Sequence, residues 1–261
     1  MAEPLTFSHR RAATGAPAVG TVVTLPGAAL AELTAAAFDL VWIDMEHGAL
    51  GRGDMLDLVV GCTAAGTPAL VRVSGVDSDD VPVALDAGAA GIVLPDVSGA
   101  AVASRLVSRC TYPPRGTRGF GPRRGNQHGR RPQAADPILI AQIESAAGVH
   151  HAADIAATPG IAGLVVGTAD LSYHLGVPGR ADDPAVAAAL GTVQAAAAAA
   201  GIAFGVAGAA TQTNLDLWAA LPLDVVMLST DARVFAGAVD DLAGRARRHL
   251  TGAATGKGTA L

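Results

Sequence analysis

Eight short runs rich in β-branched and other apolar residues recur along the chain, at 18–24, 40–44, 68–73, 91–94, 138–143, 161–166, 202–206 and 224–228. Segments of helical character alternate with them, at 28–37, 52–65, 79–87, 98–108, 150–157, 184–200, 211–220 and 232–249. A parallel strand reaches its neighbour only through a crossover, usually a helix, and eight such units in succession predict an α/β fold closed into a (β/α)8 TIM barrel. At 261 residues the chain has the length of one such barrel, and no linker-like stretch divides it, so a single domain over 1–261 is expected. Gly66, Gly88 and Gly201 each stand between an apolar helix and the next strand, where a left-handed stop prefers glycine. The alternative, an open doubly wound sheet, calls for a G-x-G-x-x-G loop after its first strand, and Leu25-Pro26-Gly27-Ala28 offers none.

Hydrophobic residues make up 51% of the chain but aromatics only 3%, so the core must be built from Ala, Val, Leu and Ile, with Gly where elements approach closely. A net charge of −5 argues against nucleic acid, whose phosphates need a surplus of Lys and Arg, and in favour of a small-molecule ligand. The stretch 184–210 is apolar enough to resemble a membrane span, but Gly191, Thr192, Gln194 and Gly201 interrupt it. It reads as helix, stop and strand, and no membrane partner is expected. Met1-Ala2-Glu3-Pro4 lacks a secretory start, and Cys62 and Cys110 belong to no paired motif, so a cytoplasmic protein is expected. The tail 251–261, rich in Gly, Ala and Thr, is expected to be flexible.

The chemistry gathers where the strands should end. Asp44, Glu46 and His47 follow the second run, Arg72 closes the third, Gln142 and Glu144 end the fifth, and Asp170 follows the sixth. In parallel α/β folds that edge of the sheet is where ligands bind. Glu144 and Asp170, on neighbouring strands, could share a divalent cation, and an all-oxygen donor set suits Mg²⁺ or Mn²⁺; the plainer alternative is a pair of capping or salt-bridged carboxylates. The spacing in Asp44-Met45-Glu46-His47 lets one carboxylate orient the imidazole as a base near neutral pH. Arg72 needs an anionic partner, which a ligand oxyanion would supply. The one lysine, Lys257, stands in the tail, which excludes a Schiff-base mechanism, so any enolate must be stabilised by a metal and cationic side chains. Ser145, Ser172 and Ser229 lack a nucleophile elbow, and His150, His151 and His174 read as surface or wall residues.

One connection is long, from Cys110 to Pro137, and carries Arg115, Arg118, Arg123, Arg124, Arg130 and Arg131. Long loops in compact domains are functional or disordered. This one is either a lid or wall presenting guanidinium groups to an anionic substrate, or a solvated or subunit-contacting loop. Glycines around Arg118 favour a local role for that residue.

Six fragments, in order, carry a resemblance: FDLVWIDMEH at 38–47, VRV at 71–73, DAGAAGIVLP at 86–95, YPPRGTRG at 112–119, QIE at 142–144 and GTADLS at 167–172. Together they resemble the HpcH/HpaI aldolase family over about residues 20–231. These are metal-dependent pyruvate aldolases, 4-hydroxy-2-oxoheptanedioate aldolase among them. The resemblance implies a phosphoenolpyruvate/pyruvate-type barrel and a class II aldolase, a carbon–carbon lyase that cleaves or forms 4-hydroxy-2-oxo acids from pyruvate, or another 2-oxo acid, and an aldehyde. It implies that Glu144 and Asp170 hold a divalent metal (Mg²⁺, Mn²⁺ or Co²⁺), and that the backbone amides around Ala169 and Asp170 receive the pyruvate carboxylate. Arg72 would stabilise the enolate oxygen, His47 oriented by Asp44 would move the proton of the aldol hydroxyl, and Gln142 would lie beside the metal shell. A homohexamer, a trimer of dimers exchanging the helix at 232–249, is implied as well. Thr168 stands where the family more often has Pro, Ser229 where it has Gly, and the Arg-rich stretch 121–137 replaces a Tyr- and Trp-bearing one, which leaves the acceptor aldehyde open. Rival outcomes on the same fold are oxaloacetate decarboxylation, citrate-lyase-like cleavage of an acyl thioester, and a noncatalytic anion-binding barrel.

Overall fold

The computed structural model describes residues 14–131 and 136–254 together with Phe7 and Arg11. Eight parallel strands close in chain order: β1 (Ala18–Val23), β2 (Leu40–Asp44), β3 (Ala69–Arg72), β4 (Gly91–Leu94), β5 (Ile138–Ile143), β6 (Gly163–Gly167), β7 (Ala203–Gly208) and β8 (Val225–Thr230). β8 pairs back onto β1, with Ala18 opposite Val225, so no strand edge is left open. The helices are α1 (Ala28–Ala35), α2 (Arg52–Ala64), α3 (Asp80–Ala87), α4 (Ala100–Cys110), α5 (Ala146–His150), α6 (Ala152–Ala156), α7 (Thr168–His174), α8 (Pro184–Ala200), α9 (Gln212–Ala219) and α10 (Asp231–Ala254). The expected TIM barrel is therefore present.

Side chains alternate across a strand, and that parity splits the apolar residues into two clusters. Leu40, Trp42, Leu70, Val93, Ile140, Val165, Val225 and Met227 fill the barrel, while Val41, Ile43, Val71, Ile92, Leu139, Leu164 and Val166 pack outward against the helices. Small residues let a core so poor in aromatics close: a Cβ on Gly20 would lie 2.7 Å from Met227 Sδ and 2.8 Å from Leu40 O. Followed toward the strand ends, the inward parity passes from Leu40 and Trp42 to Asp44, from Leu70 to Arg72, from Ile140 to Gln142 and Glu144, and from Val165 to Gly167. Along these inward series, apolar packing thus gives way to polar and charged groups at the carboxyl edge of the barrel.

Gly66, Gly88 and Gly201 are all left-handed, with φ of +79°, +97° and +68°, as the helix stops require. The 184–210 stretch is helix α8, its glycine stop and strand β7, and among the described residues no helix is long and apolar enough to cross a membrane. Three features depart from the expected parsing. The helix expected over 150–157 is a pair, α5 and α6, and starts earlier because Ser145 caps it, its Oγ accepting from Gly148 N at 3.3 Å. Helix α7 was not foreseen; it follows β6 without a break, so Ala169 and Asp170 sit in a first helical turn. The last helix runs past His249 to Ala254, so the first residues of the tail expected to be flexible are helical, and 255–261, Lys257 included, fall outside the described residues.

Candidate active site

At the carboxyl edge a cavity of about 280 Å³ is lined by His47, Arg72, Gln142, Glu144, Ala169 and Asp170, with Val22, Gly167, Ala207, Gly208, Ala209, Ser229, Thr230 and Arg233. Six of the seven residues expected from the sequence meet there, and the seventh, Asp44, holds Arg72. Asp44 and Arg72 are register partners on β2 and β3, so their side chains leave the sheet side by side. Arg72 Nε donates to Asp44 Oδ1 at 3.1 Å and Nη2 to Oδ2 at 2.8 Å, a two-pronged pair with side chains only 12% and 2% exposed. Burial pushes the Asp44 carboxyl up, but Arg72 and the amides of His47 and Glu46 outweigh it and hold Asp44 below its usual range. Burial lowers the Arg72 pKa, but Asp44, with the charges of Glu46 and Glu144, outweighs it and raises it, so Arg72 stays cationic.

Two expectations need correcting. Arg72 does not wait for a ligand oxyanion as its partner, because Asp44 already engages it and Glu46 Oε2 adds a charge contact 3.2 Å from Nη1. Nor does Asp44 orient the imidazole of His47. Its Oδ1 accepts the backbone N–H of Glu46 at 3.1 Å and of His47 at 3.2 Å, which shapes the turn. The carboxylate nearest the imidazole is Glu46, with Oε2 3.9 Å from Nε2. The His47 side chain, 69% exposed, reaches over the cavity. Sequence spacing could not separate the two acids, because Asp44 is the last residue of a strand and Glu46 the second of a turn.

Glu144, just past β5, is 6% exposed. Its Oε2 accepts from the backbone N–H of Asp96 at 3.1 Å, and its Oε1 accepts from Gln142 Nε2. Burial, with the charge of Asp170 adding to it, pushes the Glu144 carboxyl up to about 7. Gln142 Oε1 is buried with no hydrogen-bond partner. A Cβ on Gly167 would run into Glu144 Oε1 and lie 2.8 Å from Gln142 Nε2, so glycine here leaves the space these side chains occupy. A buried carboxylate raised by a second one, beside an orphaned amide oxygen, is a set of hard oxygen donors short of positive charge, and a divalent cation fits it. Among the described residues no group of three or more His, Cys, Asp or Glu could hold a metal, so an ion on Glu144 and Asp170 would take its other ligands from water or substrate.

The far wall comes from the β8–α10 corner. Ser229 is left-handed at φ +53°, and its Oγ accepts from Ala210 N at 3.1 Å. Asp231, 8% exposed, accepts from Thr24 N, Thr24 Oγ1, Leu25 N and Ala232 N at 2.7–3.0 Å and ties the start of α10 to the end of β1. Arg233, in that first turn, lines the cavity. Sequence reading placed Glu46 and Gly167 at the strand ends but assigned them no separate role, and Asp96 and Arg233 were not among the expected residues. Asp96 and Arg233 were detectable, since each follows a strand end within a few residues, the same signal that selected Asp170. The serines serve structure: Ser145 Oγ donates to Asp96 Oδ1 at 2.7 Å, and Ser172 Oγ to Ala169 O at 2.6 Å.

The Arg-rich connection is not a lid over this cavity. It joins the end of α4 to the start of β5, which puts it at the opposite, amino edge of the barrel. Arg118, buried, donates through Nη2 to Asp86 Oδ1 at 3.0 Å and stacks 4.8 Å from the Tyr112 ring centroid, which bears out its local role. Arg115 pairs with Asp136 at 2.9 Å. Arg123 and Arg124 border a separate hollow of about 650 Å³ between α2 and α3, larger than the strand-end cavity but sharing no residue with it and carrying no cluster of catalytic type.

A sequence profile of the HpcH/HpaI aldolase/citrate lyase family matches residues 25–218. The hydroxypyruvate/pyruvate aldolase of Rhizorhabdus wittichii is 34% identical over 233 residues, covering 84% of this chain and 92% of that protein. The 4-hydroxy-4-methyl-2-oxoglutarate aldolase of Chaetomium globosum is 35% identical over 222 residues, 80% and 82% of the two chains. The crystal structure of an HpcH/HpaI aldolase/citrate lyase family protein from Burkholderia cenocepacia superposes with a TM-score of 0.84 at 30% identity, covering 93% of this chain and all of that one. The family match extends over most of the barrel and includes six of its eight strand ends at the cavity edge, so the chain belongs to the HpcH/HpaI aldolase/citrate lyase family.

Proposed function

We propose that this protein is a divalent-metal-dependent aldolase that cleaves or forms 4-hydroxy-2-oxo acids through a pyruvate enolate. One observation carries the reading: Glu144 and Asp170, mutually repelling carboxylates on one cavity wall, face that cavity together with Arg72 and His47. Glu144 and Asp170 would hold the ion, with Mg²⁺, Mn²⁺ and Co²⁺ as candidates, and Gln142 would stand beside them. When bound, the ion supplies Lewis-acid stabilisation of the charge that develops on the keto oxygen. The amides of Ala169 and Asp170, in the first turn of α7, would receive the pyruvate carboxylate. Arg72, kept cationic and held rigid by Asp44, offers fixed positive charge to the enolate oxygen. His47, beside Glu46, takes the proton of the 4-hydroxyl on cleavage, through a water, and returns it on synthesis.

The cavity, at about 280 Å³, lies just below the range of about 300–1,000 Å³ typical of ligand sites, which favours a small acid over an acyl thioester of a nucleotide carrier. The two relatives are named for hydroxypyruvate and pyruvate in one case and for a methylated, hydroxylated oxoglutarate in the other, so their names leave the charge of the acceptor open. A homo-oligomer belongs to the same reading. On α10, Val234, Phe235, Val239 and Leu242 are exposed, an apolar face suited to another subunit, as the hexamer with an exchanged terminal helix would require. The buried thiols Cys62 and Cys110 fit a cytoplasmic setting. The test is pyruvate release from racemic 4-hydroxy-2-oxo acids with Mg²⁺, Mn²⁺ or Co²⁺, before and after chelation. Activity lost on chelation and restored by the ion is expected, whereas oxaloacetate loss without aldol turnover would replace this reading with a decarboxylase.

A further inference from the structure

We propose that Arg233 binds a carboxylate on the acceptor half of the substrate, so that the preferred 4-hydroxy-2-oxo acid carries a second carboxylate at its far end. This specifies the substrate class of the aldolase site and rests on that reading.

The charges around the cavity point to it. Arg72 has little left to offer a distal carboxylate, since Asp44 occupies its Nε and Nη2 and Glu46 lies 3.2 Å from its Nη1. Those three side chains sum to a negative set, and Glu144 and Asp170 add further negative charge that one dication would offset. Across the cavity, Arg233 is a cation with no carboxylate paired to its guanidinium among the described residues. Asp231, two residues earlier, makes no ion pair with it and instead turns both oxygens to Thr24, Leu25 and Ala232.

The backbone of Arg233 is anchored as well as its surroundings. Its N–H donates to Thr230 Oγ1 at 3.2 Å, and the turn it belongs to is pinned to β1 by Asp231. Ala207, Gly208 and Ala209 line the cavity with it, so no long side chain from the end of β7 fills the intervening space. A planar guanidinium matches a carboxylate in two-pronged fashion, and a single arginine suits that group better than a phosphate dianion, which calls for more donors. In cleavage the C3–C4 bond breaks, the 4-hydroxyl proton leaves toward His47, and the electron pair stays on C3 until protonation yields pyruvate. C4 becomes the carbonyl of an oxo acid, whose carboxylate remains on Arg233.

The experiment compares racemic 4-hydroxy-2-oxoglutarate with 4-hydroxy-2-oxovalerate, which differ in carrying a carboxylate or a methyl group on C4. Pyruvate release is measured for wild type, Arg233→Ala and Arg233→Lys in the metal-loaded protein. Wild type should prefer the dicarboxylate, and Arg233→Ala should lower the ratio of the two kcat/KM values by about 10- to 100-fold, chiefly through KM, with Arg233→Lys between them. An unchanged ratio in Arg233→Ala, or no preference in wild type, overturns the assignment. Calorimetric binding of 2-oxoglutarate and 2-oxovalerate separates this proposal from the broader one. If wild type cleaves neither substrate, the aldolase reading falls. The Arg233 subsite then stands if 2-oxoglutarate binds more tightly and the difference disappears in Arg233→Ala, and falls if wild type shows no difference.

Discussion

The two edges of the barrel use arginine in opposite ways. At the amino edge Arg118 is buried and stacked on Tyr112, and its charge is matched by Asp86, although its Nε and the Tyr112 hydroxyl find no hydrogen-bond partner among the described residues. At the carboxyl edge the balance is unfinished: Arg72 is shared between two acids, Glu144 and Asp170 repel each other, and Arg233 lines the cavity with no carboxylate partner among the described residues. Satisfied charges lock a loop, while unsatisfied ones around a hollow make a site, because only the latter gain free energy when a ligand or ion arrives.

The sharpest way to break this contrast is Glu144→Ala, expected to lower metal-dependent pyruvate release by about 10³-fold or more with the fold retained on circular dichroism. Activity equal to wild type would remove Glu144 from the machinery. Next come the two arginines. Arg72→Ala should reduce kcat by about 10²- to 10³-fold. Arg118→Ala should leave kcat/KM within about twofold of wild type yet lower stability by about 2–4 kcal/mol in denaturant unfolding, because Asp86 and Tyr112 lose their partner. If Arg118→Ala abolished activity without destabilising, the division between the edges would be mistaken. Gly167→Ala should weaken divalent-ion binding about 10- to 100-fold by displacing Glu144 and Gln142, read by calorimetric titration of Mn²⁺.

A gentler probe is pH. The folded-state value of Glu144 is raised from 4.5 to about 7, so the folded protein holds this proton more tightly than the unfolded chain does. The stability of the metal-free protein should therefore decline as pH rises from about 4.5 to about 7 and level off above, by an amount on the order of 1–3 kcal/mol. Glu144→Gln should flatten that slope in thermal unfolding, and an unchanged slope would mean that another group causes it. The smallest effect is expected at the amino edge: Gly88→Ala, at φ +97°, should lower stability by about 1–2 kcal/mol and leave kinetics untouched.

Much of the carboxyl edge was legible because strand parity is written locally. Leu40, Trp42 and Asp44, or Ile140, Gln142 and Glu144, alternate in the chain as they do in space, so polar residues continuing an inward series betray the mouth of a barrel. The partners were less legible. Asp44 and Glu46 both precede His47, and only the turn of the backbone shows that Asp44 holds its amide and Glu46 neighbours its ring. Arg233 escaped notice because a basic residue early in a long polar helix looks like a solvated one, and nothing nearby in sequence shows that Asp231 is taken by Thr24, more than 200 residues away. The arginines of the long connection drew attention through their number, while topology, which seats any helix-to-strand loop at the amino edge, removes them from the cavity of their own chain.

The order of strands and helices, the stops between them and the residues that end up at the barrel mouth were determined by the sequence itself, since each depends on short-range periodicity and backbone preference. Which carboxylate serves which cation was decided by the closed barrel. Electrostatic pairing depends on distances and burial that closure alone creates, bringing Asp44 against Arg72, Asp170 toward Glu144, and Thr24 onto Asp231 across the seam where the last strand meets the first.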